Sequence, residues 1–211
     1  MNLEWSTGQS TWQVAASGVT RPAHARLTLR TDRIDHLDDE VVEAAKRGER
    51  AAWEAAYVAY SKGMMGFLVL RLGDRDDAAE ALSETFLRAI EKVSSLRGGA
   101  DAFRAWLFRI ARNVAIDRLR ARNRIFLEAD APEAADLATG GPADTLIAAE
   151  DAAEVRAALA ALPPDDREVV WLRVCAGLSS EEVGDIVGKK AGAVRMQQLR
   201  ALEVMSKRLG R

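Results

Sequence analysis

The 211-residue chain contains little cysteine or histidine and no long apolar run. Its single cysteine, Cys175, cannot form an internal disulfide or a cysteine-based zinc site, which fits a reducing compartment. Both histidines, His24 and His36, lie near the start of the chain, so the rest lacks the usual metal ligand and general base. No apolar stretch approaches the roughly 20 residues that a membrane span needs, and no signal peptide is expected. These absences disfavour secreted, membrane and metalloenzyme classes.

Charge is nearly balanced over the whole chain but unevenly distributed along it. The totals are 30 Lys+Arg and 32 Asp+Glu, a net charge of −2. Residues 103–124 contain seven arginines and one acid, and residues 185–211 contain seven basic residues and two acids. Between these segments, residues 125–154 contain eight acids and no lysine or arginine. Basic segments of this kind neutralise nucleic-acid phosphates, and the alternative is a pair of solvated, arginine-rich helix faces.

The residue pattern divides the chain into four segments. Residues 1–36 carry Gly, Ser and Thr without helical periodicity, which predicts a mobile extension. Residues 37–124 and 148–211 carry apolar residues at helical spacing, which predicts two helical domains. Residues 125–147 contain Pro132 and Gly140-Gly141-Pro142 among the acids, which predicts a flexible linker. The predicted fold is therefore all-α, with two small domains joined by an acidic linker.

In the first domain, a turn at residues 73–76 precedes a helix for which Asp76 or Asp77 is the predicted cap. The predicted core stripe of that helix consists of Leu82, Phe86, Ile90 and Val93. A second, arginine-rich helix is predicted over about 102–122, with Asn113 at the boundary between its apolar and basic faces. An asparagine beside aromatic and basic side chains suits binding of an unstacked base, for which stacking alone contributes about 1–3 kcal/mol.

The second domain has the signals of a helix-turn-helix. Ser179 and Glu182 match a capping box, Gly188 ends that helix, and a basic helix follows. Cations near the start of this last helix are predicted to meet phosphates, and Arg195 or Arg200 to meet a guanine edge. A helical hairpin without a role in DNA binding is the alternative.

Two blocks of sequence resemble the extracytoplasmic-function (ECF) sigma factors. Residues 77–89 together with residues 102–120 resemble region two of that family. Leu162-Pro163-Pro164, residues 167–170 and residues 177–195 resemble its region four. Two differences from the common pattern are Ser83, where many members carry glutamine, and Gln198, which falls on the core side of the last helix.

The resemblance implies a bacterial initiation factor that binds the clamp and flap regions of core RNA polymerase and directs the enzyme to promoter DNA. It implies that region two captures the −10 element as flipped bases and that region four reads the −35 element in the major groove. An anti-sigma factor is a further candidate partner. The expected −10 residues are Arg97, Asp101, Phe103, Arg104, Trp106, Arg109, Arg112, Asn113 and Arg120. The expected −35 residues are Lys189, Lys190, Arg195, Met196, Leu199 and Arg200. The expected polymerase-binding residues are Asp77, Glu80, Glu84 and Arg88.

Other functions have less support. A dimeric helix-turn-helix regulator that acts without polymerase is the alternative, but no heptad seam for a dimer is evident. An enzyme is not expected, because the sequence shows no phosphate-binding loop and no nucleophile–base pair. No cofactor, metal or membrane insertion is expected, and the expected location is the cytoplasm. Cys175 is expected to be a buried structural thiol, with a redox sensor as the alternative. Trp106 is expected in the core, with a role in strand separation as the alternative.

Overall fold

The structure is a computed structural model that describes residues 3–5, 12–14, 37–128 and 149–210. Two three-residue strands, β1 (Leu3–Trp5) and β2 (Trp12–Val14), pair antiparallel. The remaining elements are helical. They are α1 (Asp39–Lys46), α2 (Arg50–Leu72), α3 (Arg75–Lys92), α4 (Ala100–Glu128), α5 (Ala149–Ala160), α6 (Pro164–Val170), α7 (Ser180–Val187) and α8 (Ala191–Arg208). A 3₁₀ turn (Val93–Ser95) follows α3, and a π-helical turn (Trp171–Cys175) continues α6.

The predicted all-α fold is confirmed, with the short β1–β2 pair as an addition that the sequence did not indicate. Helices α1–α4 form an N-terminal domain and helices α5–α8 a C-terminal domain. Helix α4 continues to Glu128, into the segment expected to be linker. The rest of the expected linker from residue 129, and most of the expected extension over residues 1–36, lie outside the described residues.

The N-cap of helix α3 lies two or three residues before its expected position. Asp74 is the N-cap, and its Oδ1 accepts a hydrogen bond from the backbone N–H of Asp77 at 2.7 Å. Asp76 and Asp77 lie instead in the first turn, where the helix dipole favours acidic side chains. The prediction of Asp76 or Asp77 as the cap was therefore wrong by two or three residues.

The core of the N-terminal domain is formed where α2, α3 and α4 pack together. An aromatic cluster occupies one end, where Phe103 of α4 lies 5.9 Å from Trp53 and 6.1 Å from Tyr60 between ring centroids. At the other end, Phe67 and Phe108 meet edge to face at 5.9 Å. Offset and edge-to-face pairs of this kind add to the burial of apolar area. They fix α4, and therefore its outer surface, relative to α2.

The helix-turn-helix is confirmed in its local details. Ser179 Oγ accepts from the backbone N–H of Glu182, and Glu182 Oε2 accepts from the backbone N–H of Ser179, which completes the capping box. Helix α7 ends at Gly188, whose φ of 75° lies in the left-handed region that favours glycine. The turn directs α8 across α7, with Val183 and Val194 buried between the two helices.

The two domains contact each other directly. Helix α4 packs on α7, and α2 packs on α6 and its π-helical turn. Trp171, Leu172 and Val183 of the C-terminal domain belong to the same apolar cluster as the core of the N-terminal domain. A second, smaller cluster, which includes Val155 and Met205, lies within the C-terminal domain. The C-terminal domain therefore divides its apolar surface between its own core and the interface with the first domain.

Candidate nucleic-acid interfaces

The outer surface of α4 carries exposed polar and cationic groups. Arg109, Asn113 and Arg120 are exposed on the helix, and Arg97 and Asp101 are exposed at or near its N-terminal end. Cations and an amide on one rigid helix can hold a phosphate backbone while an amide edge meets a base. Five of the nine expected −10 residues therefore stand on an accessible surface.

The other four expected −10 residues are not freely exposed. Phe103 has 0% exposure and packs in the aromatic cluster, and Trp106 is buried beside it at 5.8 Å between centroids. Arg104 is buried, with Nη2 3.4 Å from Asp101 Oδ1. Arg112 is half-buried, because its Nε donates to Glu168 of the C-terminal domain at 2.9 Å. In this conformation, Phe103 and Trp106 have packing roles, which agrees with the expectation of Trp106 in the core.

The loop that precedes α4 is held by two long-range contacts from α1. Asp39 Oδ1 accepts from the backbone N–H of Ala100 at 2.7 Å, so a residue of α1 caps α4. Lys46 Nζ donates to the carbonyl oxygen of Gly98 at 3.1 Å. Leu96 is buried and anchors the start of the loop. The position of Arg97 beside α4 is therefore set by α1.

A cleft of about 540 Å³ lies between this loop, α4 and the second domain. Arg97, Trp106 and Arg109 line it from the N-terminal domain. Glu182, Asp185 and Ile186 of α7 line it from the C-terminal domain. Groups that suit a nucleic acid on one wall therefore face carboxylates on the other.

Helix α8 presents a mixed basic and apolar face to solvent. Lys190, Arg195 and Arg200 are exposed, and Met196 and Leu199 are 51% and 43% exposed. Exposed apolar side chains between arginines suit a major groove, where thymine methyl groups alternate with hydrogen-bonding edges. Arg195, Met196, Leu199 and Arg200 lie on one accessible helix face, and Lys190 lies at the N-cap of the helix.

Neighbouring side chains fix the ends of this face. Arg195 Nη1 pairs with Glu181 Oε1 of α7 at 3.1 Å. A hydrogen bond to its own backbone N–H, and then the one from Arg195, lower the pKa of the Glu181 carboxyl from its ordinary value. Lys189 is half-buried, and its Nζ donates to Gln197 Oε1 at 2.8 Å. Arg195 must exchange its partner to reach DNA, whereas Lys190 is exposed at the N-cap of α8.

The two glutamines on α8 have structural partners. Gln198 is buried, as expected from its place on the core side, and its Oε1 accepts from Arg173 Nε at 3.0 Å. Burial lowers the pKa of the Arg173 guanidinium below its ordinary value. Gln197 Nε2 donates to Asp166 Oδ1 of α6 at 2.8 Å. These contacts orient α8 on the rest of the C-terminal domain.

The expected polymerase-binding residues form a network between α3 and α4. Arg118 of α4 contacts Asp77 at 2.6 Å, Glu80 at 3.2 Å and Glu84 at 3.1 Å. Burial alone would lower the pKa of the Arg118 guanidinium, but the hydrogen bonds to these three carboxylates raise it above its ordinary value. Arg88 pairs with Glu84 at 2.6 Å and with Asp117 at 3.1 Å. The acidic stripe is therefore held in a defined geometry.

An apolar patch adjoins this network. Tyr57 and Val58 of α2 and Leu87 and Ile90 of α3 are exposed. Ile90 is 47% exposed, so its predicted place in the core stripe was wrong, whereas Leu82, Phe86 and Val93 are buried as predicted. Ile90 lies at an open cleft with Trp53 and Tyr57 of α2, so α2 covers only part of its side chain.

Sequence reasoning does not reveal the contacts that Arg118, Glu168 and Trp171 make with distant helices. The sequence pattern marks Arg118 only as one of the seven arginines of residues 103–124, and the family resemblance includes Glu168 only within residues 167–170. Their partners lie 34 to 97 positions away, and no local spacing reports such pairs. Trp171 is buried, and its ring packs on Gly66 of the other domain.

Cys175 is partly buried, and burial raises the pKa of its thiol to about 12. The structural role is therefore favoured over a redox sensor, which requires an accessible thiolate. Within residues 37–124 and 154–210, no group of three or more His, Cys, Asp or Glu side chains is placed to hold a metal ion. Among the described helices, none is long and apolar enough to cross a membrane.

Two protein families match this chain, one in each domain. The Sigma-70 region 2 family matches residues 56–125, and the Sigma-70 region 4 family matches residues 152–205. The structure is also similar in fold to the sigma factor RpoE bound to the anti-sigma factor NepR from Bartonella quintana, with a TM-score of 0.63 and 24% identity over 74% of this chain and 96% of that one. CnrH in complex with the cytosolic domain of CnrY gives a TM-score of 0.58 and 22% identity over 82% and 97%.

Relatives extend this similarity through most of the chain. The ECF RNA polymerase sigma factor BldN of Streptomyces coelicolor is 33% identical over 172 residues, which span 81% of this chain and 65% of BldN. The RNA polymerase sigma-H factor of Pseudomonas aeruginosa is 30% identical over 82% of this chain and 93% of its own length. The ECF RNA polymerase sigma-E factor of Escherichia coli is 31% identical over 83% and 96%. With both regions in order and 30–33% identity to such relatives over 81–83% of its length, the chain belongs to the ECF sigma factors, which direct core RNA polymerase to specific promoters.

Proposed function

We propose that this sigma factor recognises the −10 element with the outer surface of α4 and the −35 element with the exposed face of α8. The observation that carries the proposal is the presence of two exposed cationic surfaces on two separate domains, each with side chains suited to a different form of DNA. Single-stranded DNA offers bases for stacking and hydrogen bonding, and duplex DNA offers a readable major groove.

At the −10 element, Arg97, Arg109 and Arg120 contact phosphates, and Asn113 contacts the edge of a flipped base. Asp101 is exposed in the first turn of α4 and belongs to the same proposed −10 surface. Phe103, Trp106 and Arg104 support the surface from below, since their side chains are buried. Arg112 contacts DNA only after its hydrogen bond to Glu168 is broken. The loop over residues 96–99 forms one wall of the base pocket, held in place by Asp39 and Lys46.

At the −35 element, α8 enters the major groove of the duplex. Lys189 and Lys190, near the N-terminus of this helix, contact phosphates and fix its register. Arg195 and Arg200 read guanine edges, and Met196 and Leu199 contact thymine methyl groups. Exposure of Met196 and Leu199 on a soluble helix supports an apolar contact of this kind.

The stripe of Asp77, Glu80, Glu84 and Arg88 docks on the polymerase clamp, and the C-terminal domain docks on the flap. Arg118 supports the first contact, because it holds the three carboxylates in a fixed arrangement. An anti-sigma factor is proposed as a further partner, by analogy with the two similar structures, which contain RpoE with NepR and CnrH with CnrY. Because the polymerase and its promoters lie in the bacterial cytoplasm, we place the protein there, as a non-enzymatic subunit.

A footprint on promoter DNA tests whether the chain, together with core polymerase, contacts both the −10 and the −35 element. Start sites found with core polymerase supply the promoter, and the holoenzyme is then probed with DNase I and with permanganate, which oxidises unpaired thymines. We expect protection of duplex near −35 and reactive thymines near −10. We expect no footprint from the chain without core enzyme. A tight footprint of the chain alone on a palindromic site would support the dimeric regulator instead.

A further inference from the structure

We infer that Arg173 and Gln198 are positioning residues for recognition of the −35 element. Their hydrogen bond fixes the orientation of α8 and, through it, the order in which the holoenzyme prefers different −35 sequences. This role rests on the proposed contact between α8 and the −35 duplex, and it adds two residues from outside the proposed DNA-binding set. It is carried by the burial of Gln198, by the contacts that Arg173 makes, and by the place of Gln198 behind the exposed face of α8.

The first observation is that Gln198 interrupts an apolar stripe. The buried residues of α8 follow one another at helical spacing and are Val194, Gln198, Ala201 and Met205. Val194 belongs to the larger apolar cluster, whereas Ala201 and Met205 belong to the smaller one. Gln198 therefore lies where the support of α8 changes from one cluster to the other. Apolar contacts are non-directional, so the two clusters hold α8 against the domain without fixing its rotation.

The second observation is the set of contacts that Arg173 makes. Its Nε donates to Gln198 Oε1 at 3.0 Å, and its Nη1 donates to the carbonyl oxygen of Leu178. Arg173 belongs to the π-helical turn after α6, Leu178 precedes the N-cap of α7, and Gln198 belongs to α8. One planar guanidinium therefore connects three elements of the C-terminal domain. Because hydrogen bonds require a nearly linear donor geometry, these contacts fix the rotation of α8 as well as its distance.

The third observation is the place of Gln198 behind the exposed face of α8. Leu199 directly follows Gln198, and Arg195 lies one turn before it. A rotation of α8 about its axis would move Arg195, Leu199 and Arg200 together. A hydrogen bond to a base edge spans only about 2.7–3.2 Å, so a small rotation is enough to exchange one base contact for another. The bond between Arg173 and Gln198 therefore acts on recognition through the residues that face the DNA.

The neighbouring glutamine provides a weaker tether. Gln197 is half-buried, and its Nε2 donates to Asp166 Oδ1 at 2.8 Å. Water can replace this bond when it breaks, because the side chain of Gln197 is partly accessible. Gln198 is 6% exposed, so the loss of its bond to Arg173 leaves buried polar atoms without a partner. Of the two glutamines, Gln198 is therefore the one that restricts α8 to a single orientation.

Four variants of the full-length chain, each assembled with core polymerase, test this role. Gln198→Leu keeps a similar volume but removes the acceptor of Arg173. Arg173→Lys keeps the charge but replaces the planar fork with a single nitrogen, which does not hold both acceptors in the same geometry. Gln198→Glu is the conservative substitution, because it keeps an acceptor oxygen for Arg173. Met205→Ala is the matched control for lost stability, since Met205 is buried on the same helix but in the smaller cluster.

The measurement is competition binding of each holoenzyme to duplex promoters that carry every single base change across the −35 element. We expect Gln198→Leu and Arg173→Lys to change the ranking of these promoters. The preference for the best sequence over single changes should fall by about tenfold, which is within the range that one bidentate base contact provides. Binding to a promoter with a scrambled −35 element should stay unchanged, because phosphate contacts carry no sequence information.

The remaining variants separate orientation from stability. Gln198→Glu should keep the wild-type ranking. Met205→Ala should also keep it, although its midpoint of urea unfolding should fall. The double variant Gln198→Leu/Arg173→Lys should shift the ranking no further than either single variant, because both substitutions break the same hydrogen bond.

Three results overturn the inference. The first is a wild-type ranking in Gln198→Leu and Arg173→Lys when circular dichroism shows that both are folded; if Gln198→Leu does not fold, Arg173→Lys alone decides. The second is the same change of ranking in Met205→Ala, which would make any loss of stability sufficient. The third is a Gln198→Glu variant that shifts the ranking as Gln198→Leu does. A wild-type holoenzyme without any preference at −35 would instead overturn the proposed function of α8, and that result needs no variant.

Discussion

The carboxylate of Asp39 accepts a hydrogen bond from the backbone N–H of Ala100 at 2.7 Å, so a side chain of α1 caps a helix that begins 61 residues later. Helix N-termini leave backbone donors without intrahelical partners, and a cap of this kind satisfies one of them. The loop before α4, which carries Arg97, is therefore tied to α1. We therefore expect the proposed recognition of the −10 element to depend on Asp39, although this residue is not among those proposed to touch DNA.

Asp39→Ala should lower the free energy of unfolding by about 1 kcal/mol, the usual value for the loss of a capping side chain. Start-site selection should also weaken, because the loop loses its anchor, while affinity for core polymerase stays unchanged. Urea denaturation and competition for core enzyme measure the two effects. Asp38→Ala is the control, since Asp38 makes no side-chain cap hydrogen bond, and it should change stability by less than about 0.5 kcal/mol. Equal effects of the two substitutions would contradict the role of Asp39.

Asn113→Ala should impair selection of the −10 element and leave polymerase binding intact. The side chain is exposed on α4, so its loss removes hydrogen bonds to a base without opening a cavity in the core. Transcription from promoter variants that differ at −10, followed by mapping of the RNA 5′ ends, measures this selectivity. Unchanged start sites and unchanged base preference would refute the assignment.

Arg195→Ala should weaken binding to the preferred −35 sequence by about 1–3 kcal/mol if Arg195 reads a base. The ion pair with Glu181 is lost at the same time, but both side chains are exposed and such pairs contribute little. Binding of the holoenzyme to promoters with single base changes at −35 is the measurement. An equal loss on every sequence would identify Arg195 as a phosphate contact instead.

Arg118→Ala should destabilise the N-terminal domain by about 1–2 kcal/mol, more than an isolated surface ion pair contributes. Three carboxylates that now share one arginine would repel one another. The affinity for core polymerase should fall several-fold, because the α3 face loses its fixed geometry. Arg124→Ala, at an exposed position further along α4, is the control for charge. Reduced stability with full polymerase affinity would mean that another surface binds the clamp.

Cys175 should react slowly with iodoacetamide at pH 8. Burial raises the pKa of the thiol to about 12, so almost none is thiolate at that pH. Unfolding in urea restores an ordinary pKa and exposure, and the rate should then rise roughly a hundredfold or more. Mass spectrometry of the alkylated peptide gives both rates. Similar rates in the folded and unfolded chain would support the redox-sensor interpretation instead.

Local patterns were enough to predict much of the fold. The capping box at Ser179 and the end of α7 at Gly188 are encoded within a few residues, and both are confirmed. The exposed residues of α8 also followed from helical spacing alone. Ile90 shows the limit of this reasoning, because its spacing marks it as core, but the neighbouring helix does not cover it.

The interface between the domains could not be predicted from any pattern. Glu168 reads as one more acid on a helix surface, and its burial depends on arginines 56 and 97 positions away. In the sequence, Gly66 is simply a residue of low helix propensity within α2. The close approach of the Trp171 ring explains why a side chain is absent there. Long-range partners of this kind depend on how the two domains meet, and helical periodicity carries no information about that.

Run-off transcription with core polymerase tests the central claim most directly. Core enzyme alone, and core enzyme with the purified chain, are compared on a library of promoter fragments, and the RNA 5′ ends are mapped. The account predicts a set of discrete start sites that appear only when the chain is present and that share upstream elements near −10 and −35. If the chain does not bind core enzyme, or binds it without changing where transcripts begin, the account is contradicted.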